Sequence, residues 1–150
     1  MGDVTPNFSR HEMTLSRAAA GAYGFAEAPY PEEWIEDRLK PLFRVLEKIR
    51  SKCGGRRVII IEGGGYRPPE YDAERIRRGV PGVSPDSQHG HGRAADIRVE
   101  GLTPEQVHAA ILELYTVGEI AIGGLGLYDH FVHVDIKLGP LRQWDRRRSK

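Results

Sequence analysis

The sequence predicts an α+β fold, a small antiparallel sheet flanked by helices, and three observations predict it. Short strand patterns follow one another late in the chain, around residues 93–99, 121–128 and 131–137, close enough in sequence for antiparallel pairing. Residues 32–52 repeat apolar side chains at helical spacing. The 150 residues include 18 Gly and 10 Pro, which implies many turns around short strands rather than a helical bundle.

Each element has its own signal. Ile35, Leu39, Leu42, Leu46 and Ile49 alternate spacings of four and three and share one helix face. Pro31 suits the first helical position and Cys53-Gly54-Gly55 ends the run, while Pro41 inside it predicts a kink or break near 38–40. Residues 57–62 are β-branched and apolar between glycines and read as a central strand. Gly63-Gly64-Gly65 then leads into Tyr66-Arg67-Pro68-Pro69, whose prolines cannot continue a ladder. A short helix over 69–78 and a long loop over 79–92 follow. In strand 93–99, Ala95, Ile97 and Val99 share one face, leaving Ala94, Asp96 and Arg98 on the other. Thr103, Pro104 and Gln106 spell a capped helix start, and that helix runs to about Tyr115. In the last strand Val132, Val134 and Ile136 face the core, and Phe131, His133 and Asp135 face away.

Composition bounds the function. Lys+Arg number 22 against 21 Asp+Glu, a net charge of +1; with 39% hydrophobic residues, 29% charged residues and a mean hydropathy of -0.47 this is an ordinary globular chain. One domain, 1–150, is expected, able to bury roughly two-thirds of its unfolded surface without disulfides. The longest apolar run is Val58-Ile59-Ile60-Ile61, far short of the roughly 18 to 20 residues of a spanning helix, so membrane insertion is not expected. The first residues show neither a basic start nor an apolar run, so no secretory signal is expected and synthesis is read as cytoplasmic. The single cysteine, Cys53, reads as a partly buried helix-end residue. Residues 140–150 hold Arg142, Arg146, Arg147, Arg148 and Lys150 against Asp145, a charge of +4 that leaves -3 for the rest. A basic C-terminal tail at about 140–150 is therefore expected, either solvated or adhering to an anionic polymer. The folded part shows no basic face, so no nucleic-acid partner is expected.

The strongest local signal is histidine. His89, His91, His130 and His133 fall in two tight clusters, each with an aspartate on a strand nearby, whereas His11 and His108 read as surface or structural. If strands 93–99 and 131–137 pair, Asp96 and His133 meet on one polar face, and the loop can fold His89 back to them. Two imidazoles and one carboxylate are the protein ligands of a catalytic zinc, one ion whose remaining position is left to water, and this chemistry suits amide hydrolysis. On spacing alone the other reading also stands, with His89 and His91 solvated in a Gly-rich loop and His133 an ordinary strand-end residue.

The motifs carry a resemblance. Ser87-Gln88-His89-Gly90-His91-Gly92-Arg93-Ala94-Ala95-Asp96-Ile97 resembles the S-x-H-x-x-G-x-A-x-D-I motif of the zinc D-Ala-D-Ala carboxypeptidase and L-alanyl-D-glutamate endopeptidase family. That family shares its fold with the hedgehog signalling domain. Tyr66-Arg67-Pro68 is similar to its Y-R turn, and Gly123-Gly124-Leu125-Gly126-Leu127-Tyr128 with Phe131-Val132-His133-Val134-Asp135 is similar to its closing strands. Arg142-x-Trp144 resembles the closing R-x-W of the murein endopeptidase branch, and weaker likeness reaches Asn7 to Glu12.

The resemblance implies a hedgehog/DD-peptidase-like fold and zinc held by His89, Asp96 and His133. It implies an oxyanion or substrate-carboxylate role for Arg67, and it places Ser87 and Tyr66 with Arg67 in the substrate pocket. Many relatives carry Asp or Glu three residues before the last histidine ligand, where this chain has His130. Two candidates for the general base follow: His130, a neutral imidazole, and Asp135, which shares a face with His133 and could instead be its orienting partner. His91 reads as an auxiliary residue at the pocket mouth or a solvated one. A second departure is Gly64-Gly65 where many relatives have Ser-Gly.

The function this implies is hydrolysis of amide bonds in peptidoglycan stem peptides by metal-activated water, as endopeptidase or D,D-carboxypeptidase. A monomer acting at the cell wall or periplasm is expected, in the manner of a phage endolysin. The alternative is a catalytically inactive, zinc-containing binding or structural module of the same fold.

Overall fold

The computed structural model describes residues 2–148 and carries the chain through a short helix, α1 (Arg17–Gly21), before the long one. Glu32–Trp34 is a 3-10 turn, Ile35–Leu39 a π-helix, and α2 begins only at Lys40 (Lys40–Lys52). The Lys40 N–H reaches back to Ile35 O, a π-type span. Pro41 has no hydrogen to give the next bond and sits in the first turn of α2, where none is needed. The break expected at 38–40 is thus a change of helical pitch. Cys53 caps α2, and Gly54 and Gly55 follow at positive φ.

Strand β1 (Val58–Ile60), helix α3 (Pro69–Arg77), strand β2 (Ala94–Val99) and helix α4 (Pro104–Thr116) come next, followed by β3 (Gly124–Leu127), β4 (Val132–Asp135) and β5 (Arg142–Asp145). At α4 the capping box closes both ways: Gln106 N–H donates to Thr103 Oγ1 at 3.2 Å and Thr103 N–H to Gln106 Oε1 at 2.9 Å.

The strands form one sheet in the order β1-β2-β4-β3-β5. All neighbours are antiparallel except β3 and β5, which run parallel. This corrects three expectations: β1, expected to be central, lies at one edge of the sheet. The sheet is mixed, and residues 142–145 are an edge strand where a basic tail was expected. Arg142 N–H donates to Gly123 O and Arg146 N–H to Leu127 O, and Arg147 is tied to Asp145 and Glu105. Ion pairs with Asp135, Asp145 and Glu105 engage two of these guanidiniums, those of Arg142 and Arg147. Ser149 and Lys150, the end of the expected tail, lie outside the described residues.

Helices α2 and α4 pack on one face of the sheet. Leu42, Leu46, Ile49, Val107 and Ile111 meet Ala95, Ile97, Leu125, Val132 and Val134 in one buried cluster. A fully buried leucine such as Leu46 contributes roughly 2–3 kcal/mol by removal from water. The other face is left to polar side chains. Among the described residues no helix is long and apolar enough to cross a membrane.

Candidate metal centre

Two cross-strand rows build the polar face. In the first, Asp96 of β2 lies opposite His133 of β4, His133 opposite Gly126 of β3, and Gly126 beside Trp144 of β5. In the second the order is Ala94, Asp135, Gly124, Arg142. Because β side chains alternate, the two rows share a face, the one turned away from α2 and α4. Gly64 lets its own loop approach β2: Asp96 N–H donates to Gly64 O at 2.8 Å, and a Cβ on Gly64 would stand 2.9 Å from Asp96 Cβ.

The long loop delivers the third group. His89 Nε2, His133 Nδ1 and Asp96 Oδ1 form a triangle with sides of 3.2, 3.0 and 3.2 Å. Zinc bonds of about 2.0–2.1 Å in a tetrahedron set donor atoms about 3.3 Å apart, so the spacing suits such an ion. The outer nitrogens are spoken for: His89 Nδ1 lies 2.8 Å from Gly65 O and His133 Nε2 lies 2.8 Å from Asp135 Oδ2. Both partners are acceptors, which assigns the hydrogens to those nitrogens and turns the Nε2 lone pair of His89 and the Nδ1 lone pair of His133 toward Asp96. Three buried donors converging on one point require a cation there, a proton or a metal ion. The donor set and its outer partners therefore fit a divalent metal.

The electrostatics suit ligation at Asp96 and His89, whereas His133 holds its proton more tightly. Burial alone would raise Asp96, but attraction to His89 and the His133 hydrogen bond outweigh it and hold the carboxyl well below its usual range. Burial lowers His89, which favours the unprotonated form that a ligand needs. Burial would lower His133 too, yet its bonds to Asp135 and Asp96 prevail and raise it.

Around the trio opens a cleft of about 310 Å³ whose lining includes Arg67, Ser87, Gln88, Tyr128 and Trp144. Arg67 is braced by Asp72, with Nε 3.3 Å from Oδ2, and by Gly63, with Nη1 3.1 Å from the carbonyl oxygen; its Nη1 is 3.7 Å from Asp96 Oδ2. Ser87 Oγ accepts from the His89 N–H at 3.2 Å and shapes the loop. His91 Nε2 and Asp86 Oδ1 pair at 2.7 Å, both exposed.

Two predicted site residues are not brought to the cleft. Tyr66 packs edge-on against Tyr30 and Trp34, at ring distances of 6.1 and 5.9 Å, because the turn that aims Arg67 inward aims its neighbour the other way. His130 is exposed on the turn between β3 and β4, beside a separate hollow with Asp129 and Phe131, since β4 begins only at Val132. Asp135 is placed, but behind His133: its side chain is 1% exposed and it accepts from His133 and from Arg142. Sequence reasoning missed the part played by Arg142, Trp144 and Asp72. The R-x-W spacing was the available signal for the first two; for Asp72 there was none.

The fold, a small sheet with helices packed on it, is consistent with the peptidase family that the motifs resemble. Within it, a family model described as peptidoglycan L,D-endopeptidase MepK matches residues 33–144, and the chain belongs to that family. Peptidoglycan L,D-endopeptidase MepK of Escherichia coli strain K12 is 31% identical over 105 residues, 69% of this chain and 52% of the relative. The probable peptidoglycan L,D-endopeptidase MepK of Haemophilus influenzae is 34% identical over the same shares. The chain thus spans about half the length of the curated relatives it matches. No solved structure matches it.

Proposed function

We propose that this protein is a zinc-dependent peptidase of the cell wall or periplasm that hydrolyses amide bonds in peptidoglycan stem peptides, acting as an endopeptidase at an L,D bond. The observation that carries the metal reading is the convergence of His89 Nε2, Asp96 Oδ1 and His133 Nδ1 in a cleft, with both outer imidazole nitrogens already engaged. The names of the relatives support the substrate and favour endopeptidase over carboxypeptidase.

In this reading those three residues hold one zinc ion, which when bound supplies a Lewis acid that polarises the scissile carbonyl and acidifies water. Arg67, stiffened by Asp72, offers a guanidinium to the developing oxyanion or to a substrate carboxylate. Ser87 holds the loop that carries His89. Asp135 keeps the His133 hydrogen on Nε2, so that Nδ1 stays available. Tyr128 and Trp144 supply a wall on which an extended peptide can lie.

The test is digestion of purified peptidoglycan with zinc-loaded protein, beside a chelated sample and the His133→Ala variant, with fragments identified by mass spectrometry. Metal-dependent release of peptides cut at an L,D bond is expected. Absence of any release from walls of several chemotypes, with zinc still bound at one equivalent, would favour an inactive binding module.

A further inference from the structure

We propose that β5 is a support strand for the metal centre, and that Arg142 is a positioning residue whose grip on Asp135 sets how tightly the trio holds its ion. This rests on the metal reading above.

The cross-strand rows make the case. β3 lies between β4 and β5, so a β5 side chain can reach a β4 side chain only by passing over β3. At both crossing points β3 carries glycine. A Cβ on Gly124 would overlap the Asp135 carboxylate and stand 2.8 Å from Arg142 Nη2; one on Gly126 would overlap the Trp144 indole. Through the first gap Arg142 Nη2 reaches both Asp135 oxygens at 2.9 Å, while its Nε donates to Gly123 O at 3.0 Å. Through the second, the Trp144 ring lies against the His133 imidazole with centroids 5.0 Å apart, and its Nε1–H donates to Tyr128 at 2.9 Å.

Asp135 has nothing left to choose. Oδ2 accepts from His133 Nε2–H and Arg142; Oδ1 accepts from Arg142 and from the Lys137 N–H at 3.1 Å. Without Arg142 the buried carboxylate loses its charged partner and is fixed only by the Lys137 N–H and His133 itself, so the His133 ring is anchored less firmly as it aims Nδ1 at the centre. The Gly-x-Gly of β3 and the Arg-x-Trp of β5 are therefore one device, written in two places because the strands pair in parallel with residue 124 beside 142 and 126 beside 144.

The experiment measures zinc affinity by competition with a chromophoric chelator, and follows the His133 Nε2–H resonance in histidine-labelled protein by NMR. Arg142→Ala is expected to weaken zinc binding about 10- to 100-fold and to speed exchange of that proton with water, with Arg142→Lys recovering part of both. Should Arg142→Ala fail to fold, Arg142→Lys and Arg142→Gln keep bulk on this edge and carry the comparison, Gln being expected to bind more weakly than Lys. Unchanged affinity and unchanged proton exchange in folded Arg142 variants would overturn the proposal while His133→Ala still abolishes binding. Zinc binding that survives His133→Ala, or that is missing from the unsubstituted protein, would instead overturn the metal reading itself.

Discussion

The Tyr30 hydroxyl donates to the Gly92 carbonyl oxygen over 2.6 Å, joining residues 62 positions apart in the protein interior. Gly92 closes the turn that presents His89, its N–H donating back to the His89 carbonyl. It sits at φ +70, and a Cβ there would stand 2.7 Å from the Tyr30 hydroxyl and from the Trp34 ring. Burial pushes the Tyr30 pKa up, so the hydroxyl remains a donor across the ordinary pH range. Tyr30→Phe is expected to cost about 1–3 kcal/mol, because the Gly92 carbonyl is left buried and unpaired. Gly92→Ala should cost more, since it adds backbone strain to the overlap. Chemical denaturation of the three proteins checks the order.

His130 and Asp135 separate cleanly in a mutational test. Asp135→Asn is expected to lower kcat/KM on peptidoglycan by about 10- to 100-fold, the usual scale for a partner of a metal-binding imidazole. His130→Ala should release fragments at close to the unsubstituted rate, because the side chain is exposed on the turn ahead of β4. Loss of activity in His130→Ala with zinc still bound would return that histidine to the reaction.

Removing the metal should change stability measurably. An ion that binds this trio only in the folded chain stabilises the fold by about 2.7 kcal/mol at a hundred times its Kd. Zinc is expected to raise Tm, a chelator to reverse the rise, and His133→Ala to show no response. A thermal scan at fixed protein concentration reads all three.

A pH effect is expected far from the cleft. The Glu47 carboxylate accepts from the Asn7 N–H at 2.8 Å and from Asn7 Nδ2 at 2.7 Å, tying the N-terminal segment to α2. Burial would raise its pKa, but the Asn7 bonds outweigh this and lower it. A carboxyl whose folded pKa lies below its unfolded value of about 4.3 stabilises the fold above that pH and loses the contribution as pH falls through the folded pKa. The Tm gap between the unsubstituted protein and Glu47→Gln should therefore be open at neutral pH and close in acid.

Much of this was legible in the residues. Period-two alternation put Asp96 and His133 on the face opposite Ile97 and Val134, and the register then set them side by side. Helix ends were legible because capping is local, as at Thr103 and Gln106. What alternation could not supply was anything carried by a turn: His89 reaches the site through the fold of a long loop, and Tyr66 and Arg67 part company within one. β5 was hidden for another reason. Arg-Gln-Trp-Asp lies half open to water at the sheet edge and has no apolar side of its own, so its identity as a strand comes from its backbone partner alone.

The parallel pairing of β3 with β5 has a consequence for how the molecule breathes. An edge strand opens at lower free energy than the sheet it borders, and this one is not fastened by a tight hairpin. The core under α2 and α4 is expected to stay shut while β5 lifts, taking Arg142 and Trp144 with it. If β5 supports the site as proposed, competence of the site and survival of the fold are two separate equilibria, and amide hydrogen exchange along residues 142–145 would time the faster of them.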